Sequence, residues 1–225
     1  MGAGQWILDV LYPPKCAFCG ALLDRREEGI CHSCRTGLPW TNGTDVKADF
    51  IRSISAPLYY EDSVRRALLH YQFHNARARG RVFGWLVATE LQKKDALDFD
   101  VVTWVPLSRK REHRRGYDQA RIIAEAAAKN LGREAVGLLR KIRDVPAQSG
   151  LMTAEARRAN ISGCYEVIDP NLIAGKRVLI IDDIVTTGST LSECARMLLL
   201  SGAEEVCAAA VACRREKPVR KETIT

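Results

Sequence analysis

Apolar positions fall along this chain in two rhythms. From Ser63 to Phe73, Val64, Ala67, Leu68 and Tyr71 recur at three- and four-residue spacing, the mark of a helix with one buried face. Val82, Leu86, Val87 and Leu91 repeat the pattern over residues 78–94. Helices are also predicted for Tyr117–Leu131, stopped by Gly132, and for Thr190–Ser201, stopped by Gly202. Between them stand apolar runs of strand type: Ile51–Tyr60, Val101–Val105, Glu134–Arg143, Cys164–Ile168, Arg177–Ile181 and Glu205–Ala212. A polar stretch, 144–153, leads to a short predicted helix at 154–160, and Pro170–Gly175 reads as a turn. Strands alternating with helices predict an α/β fold: a mostly parallel sheet with helices on both faces.

Residues 13–40 break the rhythm. They are rich in Cys, Gly and turn formers and too poor in apolar residues to build a core. Cys16-x2-Cys19 and Cys31-x2-Cys34 stand 11 residues apart. A Cys-x2-Cys turn brings two sulfurs within reach of one tetrahedral ion, so four thiolates predict a closed, structural Zn2+ site. Ligation supplying roughly 10–16 kcal/mol lets so small a unit fold. Two disulfides or a redox pair are the alternatives. His32 could replace a thiolate, but four sulfurs suffice. His70 and His74 have ligand spacing without an acidic companion and are expected to be surface or hydrogen-bonded residues. Cys164, Cys194, Cys207 and Cys213 lie in apolar segments and read as small core residues.

Composition narrows the classes. The 225 residues are 47% hydrophobic and 27% charged, which excludes disordered, collagen-like and coiled-coil chains. No apolar run approaches the roughly 20 residues of a membrane span. The apolar start (Trp6, Ile7, Leu8, Val10, Leu11) lacks a basic flank and is interrupted by Asp9, so no export signal is expected. The expected location is cytoplasmic, where disulfides are disfavoured. The net charge of +7 is uneven: residues 1–100 hold 13 basic and 12 acidic residues, the remainder 21 and 15. The basic half suits a polyanion such as phosphates or nucleic acid, or is simply a basic soluble surface.

The most informative segment runs from Val178 to Thr190. A buried strand delivers Asp182 and Asp183, then Thr186, Thr187, Gly188, Ser189 and Thr190 open a helix. Such a turn directs backbone N–H groups, hydroxyls and the helix dipole at one spot, which suits a phosphate monoester. Two carboxylates beside a phosphate repel it unless they hold hydroxyls or a cation. A sugar phosphate satisfies both demands.

The segment resembles the phosphoribosyl pyrophosphate motif of type I phosphoribosyltransferases: apolar strand, two acids, then Thr-Gly-x-Thr. That resemblance implies that Asp182 and Asp183 engage the ribose 2′- and 3′-hydroxyls and that Thr186–Thr190 hold the 5-phosphate. It also implies that the loop after Trp104-Val105-Pro106, carrying Leu107, Ser108 and Arg109, binds pyrophosphate, often through a cis peptide. Six basic and two acidic residues lie between 106 and 121. With the two Cys-x2-Cys pairs, Arg114-Arg115-Gly116-Tyr117-Asp118-Gln119-Ala120, and Gln148, Leu151, Arg157 and Asn160, the chain resembles the ComF (GntX-like) family. These proteins join an N-terminal zinc ribbon to a phosphoribosyltransferase domain, and some are linked to DNA uptake in natural transformation. One departure is Gln72, where relatives often carry Lys.

The resemblance implies two parts, 1–45, an N-terminal helix and four-cysteine ribbon, and 46–215, the transferase domain; the polar composition of 216–225 reads as a basic flexible tail outside the resemblance. The resemblance also implies pentosyl transfer, displacing pyrophosphate from carbon 1 of 5-phosphoribosyl 1-pyrophosphate (PRPP) with Mg2+, with a hood expected from the ribbon and residues 41–60. The polar 144–160 segment, carrying Gln148, Arg157 and Asn160, reads as a lid or as a plain surface connection. The acceptor is not legible. The alternative is a single-stranded DNA-binding component of DNA uptake, with protein partners there and the PRPP site regulatory or vestigial. In that reading Phe18, Trp40, Tyr59 and Tyr60 could stack bases, although such residues more often serve the core.

Overall fold

Two nine-residue strands, β6 (Arg177–Val185) and β7 (Glu205–Cys213), form the centre of the molecule. The computed structural model describes residues 13–24, 26–41, 46–73, 77–144 and 160–215. Val178 and Ile180 of β6 face one core, and Leu179 and Ile181 face the other. Ala208 and Ala210 of β7 alternate in the same way with Ala209 and Val211. Each strand therefore buries both faces, as a parallel sheet layered by helices requires.

The chain enters through α1 (His32–Gly37), β1 (Ile54–Ser55), β2 (Leu58–Tyr59), α2 (Asp62–Phe73), α3 (Arg77–Lys93) and β3 (Val101–Trp104). It continues through α4 (Arg109–Arg115), α5 (Gln119–Asn130), β4 (Leu139–Lys141) and β5 (Tyr165–Val167) to β6, α6 (Ser189–Leu200) and β7. The sheet order is β1-β7-β6-β3, with β2 also on β7, and every pairing within it is parallel. Helices α2, α3 and α5 pack on one face; α6 covers the other. Helices α3 and α5 cross at contact distance because Gly84 lacks a side chain: a Cβ there would stand 2.5 Å from the Ala126 Cβ and 2.6 Å from the Ile123 carbonyl oxygen.

The α/β class expected from the sequence is observed, and five local expectations are corrected. Ile51–Tyr60 is not one strand; β1 and β2 are separate two-residue strands divided at Ala56-Pro57, where Pro57 has no N–H for a ladder. Glu134–Arg143 is likewise split. Ala135 bridges to Val102 beside β3, Gly137 packs on the Trp104 ring, and β4 leaves the sheet to pair antiparallel with β5. Strand β6 does not stop at Ile181 but continues to Val185, because β7 supplies partners as far as Cys213. Helix α5 starts at Gln119 rather than Tyr117, since Asp118 caps it by accepting the Arg121 N–H. The basic stretch after Pro106 is not a loop throughout: Ser108 caps α4, and Gly116 ends it.

Residues 13–41 share the core of the sheet domain. The Phe18 ring meets the Phe83 ring edge-on at 5.7 Å, and Cys16, Ala17 and Ile30 are buried in the same cluster. Gly29 adopts φ +73°, and a Cβ there would stand 2.5 Å from Val82 Cγ2 of α3. At the far end of this segment Trp40 bridges antiparallel to Leu58, with the Thr41 N–H donating to Pro57 and the Tyr59 N–H to Pro39. Cys164, Cys194 and Cys213 are buried core residues as expected, and Cys207 is half-buried. The expected apolar start (Trp6–Leu11), His74, Gln148, Leu151, Arg157, the 154–160 helix start and the 216–225 tail lie outside the described residues. No helix among the described residues is long and apolar enough to cross a membrane.

Candidate functional site

The site forms where β3 is outrun by β6. Trp104, the last residue of β3, pairs with Ile181, so Asp182 and Asp183 lie beyond the end of that neighbour. This is the crevice outside strand carboxyl ends where open α/β sheets place ligands. Because the strand continues through them, the acids diverge as consecutive strand residues do. Asp182 lines a hollow of about 650 Å3 together with the Thr186–Thr190 turn. Asp183 turns to α2, where the Gln72 side-chain amide donates to its Oδ2 at 2.5 Å. The Asp183 N–H in turn donates to Asp182 Oδ1 at 2.8 Å.

The turn is built for close approach. Gly188, the cap of α6, adopts φ +70°, and the Thr187 and Ser189 hydroxyls lie 2.9 Å apart. Ala48 packs onto it so closely that a Gly188 Cβ would stand 2.7 Å from the Ala48 Cβ. Tyr60, Arg65, Ile161 and Arg214, the residue after β7, also line the wall. Among the described residues, none of 13–41 lines this hollow, whereas Tyr60, from the 41–60 segment expected in the hood, does. Phe18 and Tyr59, expected as possible stacking residues, are engaged: Phe18 with Phe83, and Tyr59 beneath the Arg215 guanidinium at 3.8 Å.

Electrostatics sharpen the contrast between the acids. Burial, and then the neighbouring Asp183 charge, pushes the Asp182 carboxyl well above the usual carboxylate range. Burial raises Asp183 as well, opposed by the Gln72 amide and the Arg115 guanidinium. A third acid belongs to the group. Asp118 is 6% exposed and pushed up to about 6 by burial, although the Leu107 and Arg121 N–H groups both donate to it. Asp118 stands within the Arg114–Ala120 motif with no role implied by the resemblance; its position one residue before a helix is its signal in the sequence.

Leu107, Ser108 and Arg109 are placed differently from the Thr186–Thr190 turn. The Leu107 N–H is held by Asp118 at 2.9 Å, and the Ser108 hydroxyl accepts the Arg111 N–H. Leu107 and Arg109 line a separate hollow of about 480 Å3 with Asp118 and Lys141. Among the described residues there is no cis peptide bond.

The four cysteines converge as predicted. The sulfurs of Cys16, Cys19, Cys31 and Cys34 all lie within 4.8 Å of one another, with Cys19 and Cys31 at 3.6 Å. Four Zn–S bonds of about 2.3 Å require sulfurs about 3.8 Å apart, so the set fits a structural Zn2+ ion. Burial together with the three neighbouring sulfurs drives the Cys34 thiol far up, a crowding of incipient charge that a cation relieves.

A parallel sheet, an acid pair beyond a shortened strand and a hydroxyl-rich turn opening a helix define a phosphoribosyltransferase-fold domain. Residues 117–224 match the family model described as "Phosphoribosyl transferase domain", and residues 7–44 match "Double zinc ribbon domain". Together the two matches describe a double zinc ribbon followed by a phosphoribosyltransferase domain. It is similar to Competence protein F of Haemophilus influenzae, 26% identical over 86% of this chain and 82% of that one. It is also similar to Competence protein ComFC of Streptococcus pneumoniae, 28% identical over 85% and 84%. The DNA utilization protein YhgH of Escherichia coli is 32% identical over 48% of this chain and 46% of its own.

Proposed function

We propose that this protein binds PRPP with magnesium and transfers its phosphoribosyl group. The carrying observation is that Asp182 shares one hollow with the Thr186–Thr190 turn. That turn offers hydroxyls, backbone N–H groups and the positive end of a 12-residue helix to the 5-phosphate. Asp182, and Asp183 through the oxygen not engaged by Gln72, accept hydrogen bonds from the ribose hydroxyls. Arg65 and Arg214 raise the positive potential of the hollow. For the pyrophosphate, the groups left by the internal hydrogen bonds of Leu107 and Ser108 are the Ser108 and Arg109 N–H groups and the Arg109 guanidinium. Their hollow is separate from that of the 5-phosphate, as the two ends of one extended ligand require.

Two carboxylates, each with one oxygen already engaged, do not cage a divalent ion. They do suit one carried in by the ligand's own phosphate and hydroxyl oxygens. Bound so, Mg2+ would offset charge on the departing diphosphate. The chain's residues hold the sugar at its hydroxyls and 5-phosphate, so that the carbon 1–oxygen bond to pyrophosphate breaks as a bond to the acceptor forms. Titration calorimetry of PRPP into the zinc-loaded, magnesium-containing protein tests this. Uptake by the native chain, lost when Asp182→Asn and Asp183→Asn are combined, is expected; no uptake by the native chain would refute it. A screen of bases and amines for diphosphate release then identifies the acceptor class.

A second reading, a single-stranded DNA-binding component of DNA uptake, is favoured by what the relatives' names say of those proteins and by the basic α4 segment. It expects the paired Asp→Asn changes to leave salt-sensitive DNA affinity intact. It also expects removal of charge at Arg109, Lys110, Arg114 and Arg115 to flatten the salt slope.

A further inference from the structure

We infer that the basic hollow between the ends of α2 and α4 is a binding site for the carboxylate or phosphate group of a small-molecule acceptor, which deepens the transferase reading. The hollow measures about 690 Å3, within the range of small-ligand sites. Arg77, His113, Arg114 and Arg115 line it, with Gln72 and Phe73. Arg77 and Arg114 take part in no ion pair among the described residues, and Arg115 meets the Asp183 charge only at longer range.

A second, independent observation points to a missing acceptor of hydrogen bonds. Gln119 is 1% exposed, and among the described residues its side-chain Nε2 has no hydrogen-bond partner; neither has the buried Nε of Arg115. The two side chains touch, Arg115 Nη1 donating to Gln119 Oε1 at 2.9 Å. Buried donors are rarely left unpaired. Of the two, Arg115 lines the hollow, and an incompletely paired guanidinium among further cations suits an oxyanion. The cations are pre-positioned. Arg77 donates to the Gly116 carbonyl and lies 5.2 Å from the Tyr117 ring; Arg115 lies 5.0 Å from the Phe73 ring. Little side-chain freedom is then lost on binding. Phe73, 58% exposed, gives the hollow an apolar wall that a nucleic-acid phosphate alone would not use.

The hollow adjoins the acid pair through one side chain. Gln72 lines it and donates to Asp183, and the Arg115 charge acts on Asp183. An acceptor anchored by its anionic group here stands beside the carboxylate assigned to the ribose.

The test uses inorganic phosphate with the zinc-loaded full chain. Two classes of phosphate site are expected by calorimetry, one at the Thr186–Thr190 turn and one here. Combining Arg77→Ala with Arg114→Ala, both at exposed positions, should weaken the second class roughly tenfold or more. Thr187→Val should spare it. In the native chain, phosphate should shift the Gln119 side-chain amide resonance. A single class removed entirely by Thr187→Val, or a Gln119 resonance that phosphate does not move, would overturn the inference. Displacement of this phosphate by benzoate or a nucleoside monophosphate supports a small acceptor; displacement by oligothymidylate alone overturns it in favour of a nucleic-acid backbone. Loss of PRPP uptake with the second phosphate class intact would count against the PRPP reading only.

Discussion

Gln72 and Asp183, 111 positions apart in the chain, are joined by a hydrogen bond from the Gln72 amide to the Asp183 carboxylate. A neutral donor stands where a cation would pair the acid directly, and the positive charge comes instead from Arg115. Replacing Gln72 with Leu removes the donor, so the Asp183 titration should move up; Gln72→Lys should move it down. Carboxyl 13C titration by NMR reads both. If neither variant moves Asp183, the hydrogen bond does not tune the acid pair.

Asp118 gives a signed pH dependence. Its folded value, about 6, is raised above the ordinary 3.8. The folded state therefore holds a proton that the unfolded state has released, and stability falls as pH rises through that window. The loss is up to about 3 kcal/mol. Urea unfolding of Asp118→Asn should lack that fall between about pH 4 and 6, while the native chain shows it. Asp182 and Asp183 act in the same direction in both proteins and cancel in the comparison.

Gly188→Ala combines a positive φ with a Cβ 2.7 Å from that of Ala48. About 1 kcal/mol of backbone strain and displacement of residues 46–48 should follow. PRPP or phosphate uptake at the turn should fall more than thermal stability. Equal losses in both would mean that the change acts through folding alone.

Gly84→Val should be severe. Its side chain would enter the α3–α5 contact against backbone atoms of Ile123 and Ala127. A cost of about 3 kcal/mol, read by denaturant midpoint, is expected.

Zinc removal reaches past the cysteines. Phe18 and Ile30 share a core with Phe83 and Leu58, so chelation should raise amide exchange across residues 13–41 and along α3. The central residues of β6 and β7 should remain protected. Exchange confined to 13–41 would show that the shared cluster does not couple the two parts.

The helical stripes of α2, α3 and α5, the buried β6 and the four cysteines were legible because period and spacing encode them. Ser108 and Gly116 bracket α4 with good capping chemistry, yet the helix has no buried face to announce it. The divergence of Asp182 and Asp183 depends on β7 extending β6 past Ile181, a pairing no local pattern reveals. Gln72 meets Asp183 only through the packing of α2 on the sheet. The need for glycine at position 84 has no local signal, because the neighbour it admits comes from α5.

The antiparallel bridge of Trp40 to Leu58 has a consequence for assembly. It engages backbone groups on the flank of β2, at the β1/β2 border of the sheet, that would otherwise invite another chain to add a strand. The segment following the metal-binding turns thus guards against intermolecular sheet growth, and stripping the metal should promote aggregation from that border.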